Sequence, residues 1–204
     1  MNKLMLMAVT VLACLPAAAG AGVIYKYDDG SAEGYGGAGG AYLAWMVRFT
    51  VQAGGDKINA VEISLHEAGP FEAVVWEDIG DHGNPADARV RSRTPFTGVV
   101  GWNAIPITPV TVSGSFFVGA YSTNAVYPIN ADAEGYALHR SWMSADPAGL
   151  DLNDLTNAII ANWFEDVGPA SVAMVRAQAT PEPATIALLA AGGAAALLLR
   201  RRRK

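Results

Sequence analysis

The sequence predicts an all-β fold, a single β-sandwich or jelly-roll-like domain. Three observations point there: about eight to ten short runs rich in aromatic and β-branched residues, turn residues every 8–12 positions, and only one interior segment with helical spacing. No repeat period is visible, and the middle of the chain is one domain's worth, large enough to bury its own core.

The elements follow in order. Val23 to Tyr27 reads as a short strand closed by the turn Asp28-Asp29-Gly30. A glycine-rich loop, Gly34 to Gly40, leads to the strand Tyr42–Val51. Gly54-Gly55-Asp56 turns the chain into Lys57–Leu65, where Val61, Ile63 and Leu65 alternate with Glu62 and Ser64, the period of a half-buried strand. Phe71 to Asp78 places Phe71, Ala73 and Val75 on one face and Glu72, Val74 and Trp76 on the other. After a polar loop, Ile79 to Ala88, the alternating arginines of Arg89–Arg93 suit an exposed edge strand, since charge there discourages edge-to-edge aggregation. Val99–Ile107, Val110–Val112 and Ser115–Tyr121 come next, with Pro106 and Pro109 marking strand ends or an edge. Tyr136–Met143 and Ser171–Gln178 are the remaining strands. Leu150 to Phe164 carries Leu152, Leu155, Ile159 and Ile160 near helical spacing, with Asp151 or Asn153 as a cap, and predicts one short helix. Trp45, Trp76, Trp102, Trp142 and Trp163 are expected to fill much of the core.

Both ends read as targeting segments. Lys3, the apolar run Leu4–Leu15 and the small residues after Pro16 make residues 1–21 a signal peptide, cut at an A-x-A site in Ala17–Ala21. Its apolar core of about 12 residues is too short for a span of ~20. Cys14, the only cysteine, follows Val11-Leu12-Ala13 in a poor likeness of a lipoprotein box and is expected to leave with the peptide. The exported part, residues 22–179, then has no cysteine nucleophile and no thiolate metal site.

Charge is unevenly placed. Of the 14 Lys/Arg, Lys3 and five tail residues lie outside Gly22–Thr180, leaving eight; of the 19 Asp/Glu only Glu182 does, leaving eighteen. The exported part therefore carries about −10 and excludes nucleic acid as a partner, because phosphate binding needs a basic patch.

Candidate chemistry is sparse. Gly34, Gly36 and Gly39 satisfy GxGxxG formally, but a strand follows where a dinucleotide site needs a helix N-terminus, so the glycines read as loop. Asp78, Asp81 and Asn84 gather hard oxygen donors suited to a structural Ca²⁺, although the EF-hand spacing is absent and turns use the same residues; Asp28 with Asp29, and Asp151 with Asp154, invite the same reading. No other cofactor is indicated. His66, His82 and His139 fall in no HExxH, there is no GxSxG, and the histidines read as structural or solvent-facing. Trp76, opposite Phe71 and Val75 and next to the acidic loop, is the candidate for an exposed glycan contact, with core packing as its competing reading. Arg140 is placed to lay its guanidinium on Trp142.

The last segment, residues 180–204, has three parts. Pro181, Glu182 and Pro183 form a triplet that keeps the linker extended and starts a helix cleanly. Ala184–Leu199 is apolar, 16 residues or ~24 Å as a transmembrane helix, short of the ~30 Å hydrocarbon core. Arg200, Arg201, Arg202, Arg203 and Lys204 form a membrane stop that stays on the cytoplasmic side. The order of triplet, apolar helix with Gly192-Gly193, and arginine cluster closely resembles the PEP-CTERM sorting signal of exported bacterial proteins. That resemblance implies a Gram-negative source, recognition by an inner-membrane exosortase, cleavage near the triplet, and a link to exopolysaccharide and biofilm. More broadly the middle looks like the β-sandwich accessory domains of exported bacterial proteins, through Tyr27-Asp28-Asp29-Gly30, Gly101-Trp102, Phe116-Phe117-Val118-Gly119 and Arg140-Ser141.

The expectation is thus a non-enzymatic protein. It begins as an inner-membrane-anchored precursor, held for a time by its C-terminal helix, and is then delivered to the cell surface or matrix with polysaccharide as a partner. A carbohydrate-binding module and an extracellular hydrolase are the alternatives; the hydrolase needs a cleft with two carboxylates ~5–9 Å apart.

Overall fold

In the computed structural model, which describes residues 22–134, 139–161 and 171–180, the alternating and apolar runs pair into two antiparallel sheets. In chain order the strands are β1 (Val23–Tyr25), β2 (Gly34–Gly36), β3 (Tyr42–Thr50), β4 (Lys57–Leu65), β5 (Gly69–Glu77), β6 (Arg89–Gly98) and β7 (Gly101–Thr111). They continue as β8 (Ser115–Ser122), β9 (Ile129–Asp132), β10 (Ser141–Asp146), β11 (Ile159–Ala161), β12 (Val172–Ala173) and β13 (Val175–Ala179). One sheet runs β1-β13-β4-β9-β12, with β7 also on β4 and β2 also on β9; the other runs β11-β10-β3-β8-β5-β6. Residues 1–21, expected to be a signal peptide, and residues 181–204, including the apolar run 184–199, lie outside the described residues. Among those described, no helix is long and apolar enough to cross a membrane.

The main core lies between the sheets, where Trp45, Phe49, Ile63, Leu65, Phe71, Val75, Phe116 and Val118 are buried. A second core lies on the far side of the six-stranded sheet. There Ala44, Met46, Val74, Trp76 and Phe117 pack under Ala88, Leu152 and Leu155. This second layer explains why β8 is buried at every position and why β3 and β5 are apolar on both faces. Strands covered on both sides lose the in/out alternation that β4 keeps.

Close approach is sharpest at Gly119 in β8. A Cβ there would strike the Trp45 carbonyl oxygen and sit 2.7 Å from Met46 Cα, both backbone atoms of β3. Backbone cannot swing aside as a side chain can, so Gly119→Ala is expected to cost about 1–3 kcal/mol. A urea midpoint equal to wild type would refute this.

The edges behave as the charges and prolines indicate. β6 closes one sheet, and Arg91 and Arg93 reach the acids of β5, Glu77 at 3.6 Å and Glu72 at 2.5 Å. β7 runs through Pro106 and Pro109 and pairs only with β4 among the described strands, so the missing N–H groups interrupt no second ladder.

Three expectations are corrected. Residues 150–161 form turns and then β11 rather than a helix. Asp151 accepts from the Asn153 N–H and Asp154 from the N–H and hydroxyl of Thr156, side-chain bonds that replace the helical ones. Leu152 and Leu155 are buried nonetheless, against the six-stranded sheet. The strand expected at Tyr136–Met143 is Ser141–Asp146 instead, with 135–138 outside the described residues. Part of the glycine-rich loop, Gly34–Gly36, is the strand β2, held by β9, which the sequence had not suggested.

Candidate functional site

The residues singled out in the sequence fall into different environments. Trp76 is 0 % exposed, and its indole N–H donates to the Leu152 carbonyl at 3.0 Å. An indole sealed in a core and hydrogen-bonded there offers no face to a sugar, so the expected glycan contact at Trp76 is corrected. Asp78, Asp81 and Asn84 are each engaged by partners within the chain. Arg48, from β3, places Nε 2.9 Å from Asp78 and Nη2 against Asp81, while Asn84 caps the short 3-10 turn at the Ala86 N–H. The positive charge these acids needed is a guanidinium of the same chain. Arg140 lies over Tyr27, 5.8 Å from its centroid, and not on Trp142.

The outer face of the seven-stranded sheet gathers the residues with chemistry. Arg176 on β13 is central. Its guanidinium lies 4.1 Å from the centroid of Trp102 on β7, forks onto Asp28 (Nε at 3.0 and 3.2 Å) and has Glu62 of β4 at 3.7 Å. Bonding to Asp28 raises the already high pKa of Arg176 and keeps it charged. The Asp28 side chain is only 1 % exposed, so this pair neutralises a buried carboxylate.

Beside it, Asp29, Glu33 and Asp132 bring carboxylate oxygens within 4.8 Å of one another, the hard-oxygen type of donor set. Backbone donors hold all three. Asp132 accepts from the Asp29 and Glu134 N–H groups, and Glu33 from the Ala133 N–H. The Ser31 N–H and hydroxyl hold the Asp29 carboxyl below its usual range.

Further along the same ribbon, Tyr35 pairs across from Asn130, and alternation puts Glu33, Tyr35, Asn130 and Asp132 on the outer face. Tyr35 stacks on His66 with centroids 4.1 Å apart and planes at 8°, and Tyr127 meets Tyr35 edge-on at 6.0 Å. Tyr35 is 58 % exposed and Tyr127 47 %. None of these rings stood out in the sequence. Tyr35 sits among glycines that read as loop, and His66 and Tyr127 are 61 residues apart.

A groove of about 410 Å³ lies elsewhere, lined by Phe71, Glu72, Phe96 and Tyr121 among others. Its one carboxylate, Glu72, is held by Arg93, and the carboxylate pair a glycosidase needs does not line it.

No curated protein matches the sequence. Among solved structures, the fold is similar to a clostridial cysteine protease, Cwp84, after propeptide cleavage (12 % identity, TM-score 0.57, covering 79 % of this chain and 40 % of that one). It is also similar to the cysteine protease and lectin-like domains of Cwp84, a surface-layer-associated protein of Clostridium difficile (15 %, 0.47, 70 % and 33 %). The chain thus spans well under half the length of either structure, and the first likeness bears on the fold alone. At the C-terminus, β13 ends at Ala179 and the Thr180 N–H still donates to the Lys57 carbonyl, so the sandwich is tied down up to the residue before the triplet. From there the match is direct: residues 179–203 of this chain match the PEP-CTERM protein-sorting motif.

Proposed function

We infer that this is a non-enzymatic protein, delivered to the surface or extracellular matrix of a Gram-negative cell after an inner-membrane exosortase reads and removes its tail. Polysaccharide is the partner it meets there. The observation that carries this reading is the position of the sorting motif, which begins at the last residue of β13. Thr180, the last described residue, still bonds into the sandwich, so a cut near Pro181–Pro183 leaves every described strand and core side chain in place. Thr180–Pro183 spans at most about 14 Å when extended, which keeps the folded domain close to the bilayer until the cut. The apolar run is short for a permanent anchor and suits a handle that is held briefly.

The mature mass from the producing host is expected to correspond to a chain beginning near Gly22 and ending near the triplet. A mass that retains Arg200–Lys204 would refute removal. A chain lacking residues 181–204 is expected to melt within about 1 °C of the full chain and to lose surface delivery, because every described residue of both cores is kept. Unchanged surface retention would overturn the sorting role.

A further inference from the structure

We propose that Tyr35, His66 and Tyr127 form a stacking platform for a neutral polysaccharide. Large exposed rings grouped together are uncommon on a monomeric surface and mark a contact site, unlike single exposed apolar residues. Here Tyr35 and Tyr127 are each about half exposed, Val126 beside them is exposed, and His66 backs one face of Tyr35. The high exposure of Tyr35 leaves its other face to solvent.

The platform is held in place before any ligand arrives. β2 is paired to β9 from Gly34 to Gly36. The Glu67 carboxylate accepts from the N–H groups of Val126 (3.1 Å) and Tyr127 (2.6 Å), and the His66 N–H donates to Pro128. Gly37 fits against Val126 and Tyr127 so closely that a Cβ would sit 2.7 Å from Tyr127 Cα. Rings fixed in this way lose little freedom on binding.

Charge and size select the ligand. Glu67 lies under the platform, and Glu33, Asp29 and Asp132 lie along the same ribbon, within a domain carrying about −10. A uronate or sulfated polymer, a nucleic acid or an anionic lipid surface is repelled there. Three rings are also far short of the ~800 Å² per partner of a stable protein interface. A pyranose ring fits both demands. Its C–H face carries slight positive charge that the negative face of an aromatic ring attracts, and its hydroxyls donate to carboxylates. The surface reading bears on this proposal only by saying where the polymer is met, because binding is measured on the purified chain and does not depend on sorting.

The test is migration of the full chain, in mild detergent, through native gels containing dextran, laminarin or hydroxyethyl cellulose, with alginate as the anionic comparison. Retardation by at least one neutral polymer is expected, weakened about tenfold or more by Tyr35→Ala and by Tyr127→Ala. Tyr35→Phe keeps the ring and retains binding. Ile24→Ala, exposed at the opposite edge of the same sheet, leaves it unchanged. Melting temperatures report folding separately, and if Tyr35→Ala unfolds, His66→Ala decides. No retardation by any neutral polymer, retention of binding without the rings, or stronger retardation by alginate would each overturn the proposal. So would a dimer in sedimentation that Tyr127→Ala abolishes, which would assign the patch to a second copy of the chain.

Discussion

Trp76→Ala is expected to lower stability by about 3–5 kcal/mol, the range for deleting a buried aromatic side chain. Trp76 joins the six-stranded sheet to the segment that covers it, packing under Leu152 and Leu155 and bonding the Leu152 carbonyl from 76 residues away. Removing the indole opens a cavity, leaves that carbonyl without its donor, and loosens the cover over β3, β5 and β8. For a domain of this size the loss is about 10 °C or more in melting temperature. Trp76→Phe is expected to recover part of it, since the ring volume returns without the N–H. Urea unfolding measures both variants; a Trp76→Ala protein as stable as wild type would show that the second core contributes little. Polysaccharide binding by a folded Trp76→Phe protein is expected to match wild type, because the indole has no exposed face.

Arg176→Ala is the second large effect, about 3 kcal/mol or more. The variant leaves the Asp28 carboxylate almost fully buried without its partner, and an uncompensated buried charge costs far more than the intact pair contributes. It also uncovers Trp102 and leaves Glu62 with Gln178 but without its cation. Asp28→Asn combined with Arg176→Met removes both charges at similar volume and is expected to be clearly more stable than Arg176→Ala alone. The full double-mutant cycle reads the coupling directly. Additive effects would show that the two side chains act independently, contrary to the forked geometry.

Much of the sandwich was legible because its signals are local. β4 matches its expected bounds, since one face is buried and the other wet, and a period of two is visible without knowing any neighbour. The edge character of β6 could be read from its arginines and that of β7 from its prolines. β9 was missed because it has four residues and only Ile129 and Ala131 to turn inward. The helix expected over 150–164 failed because apolar spacing is shared by a helix and by a looped segment that buries two leucines. The competing Asx turns decide between them, and their geometry is not written in the spacing.

By itself the sequence determined the fold class, the edges and the sorting motif. Each depends on residues adjacent in the chain: alternation within a strand, charge or proline along one edge, and a triplet followed by an apolar run and arginines. Only the tertiary structure decided which groups are available for chemistry. Trp76 became core because residues 150–155 fold over it, and the acids at Asp78 and Asp81 were neutralised by Arg48 from a strand 30 residues earlier. Arg176 found Asp28 across 148 residues, and three ordinary-looking rings met at one sheet edge. Burial, pairing and stacking depend on which distant segments come together, and that information is spread over the whole chain.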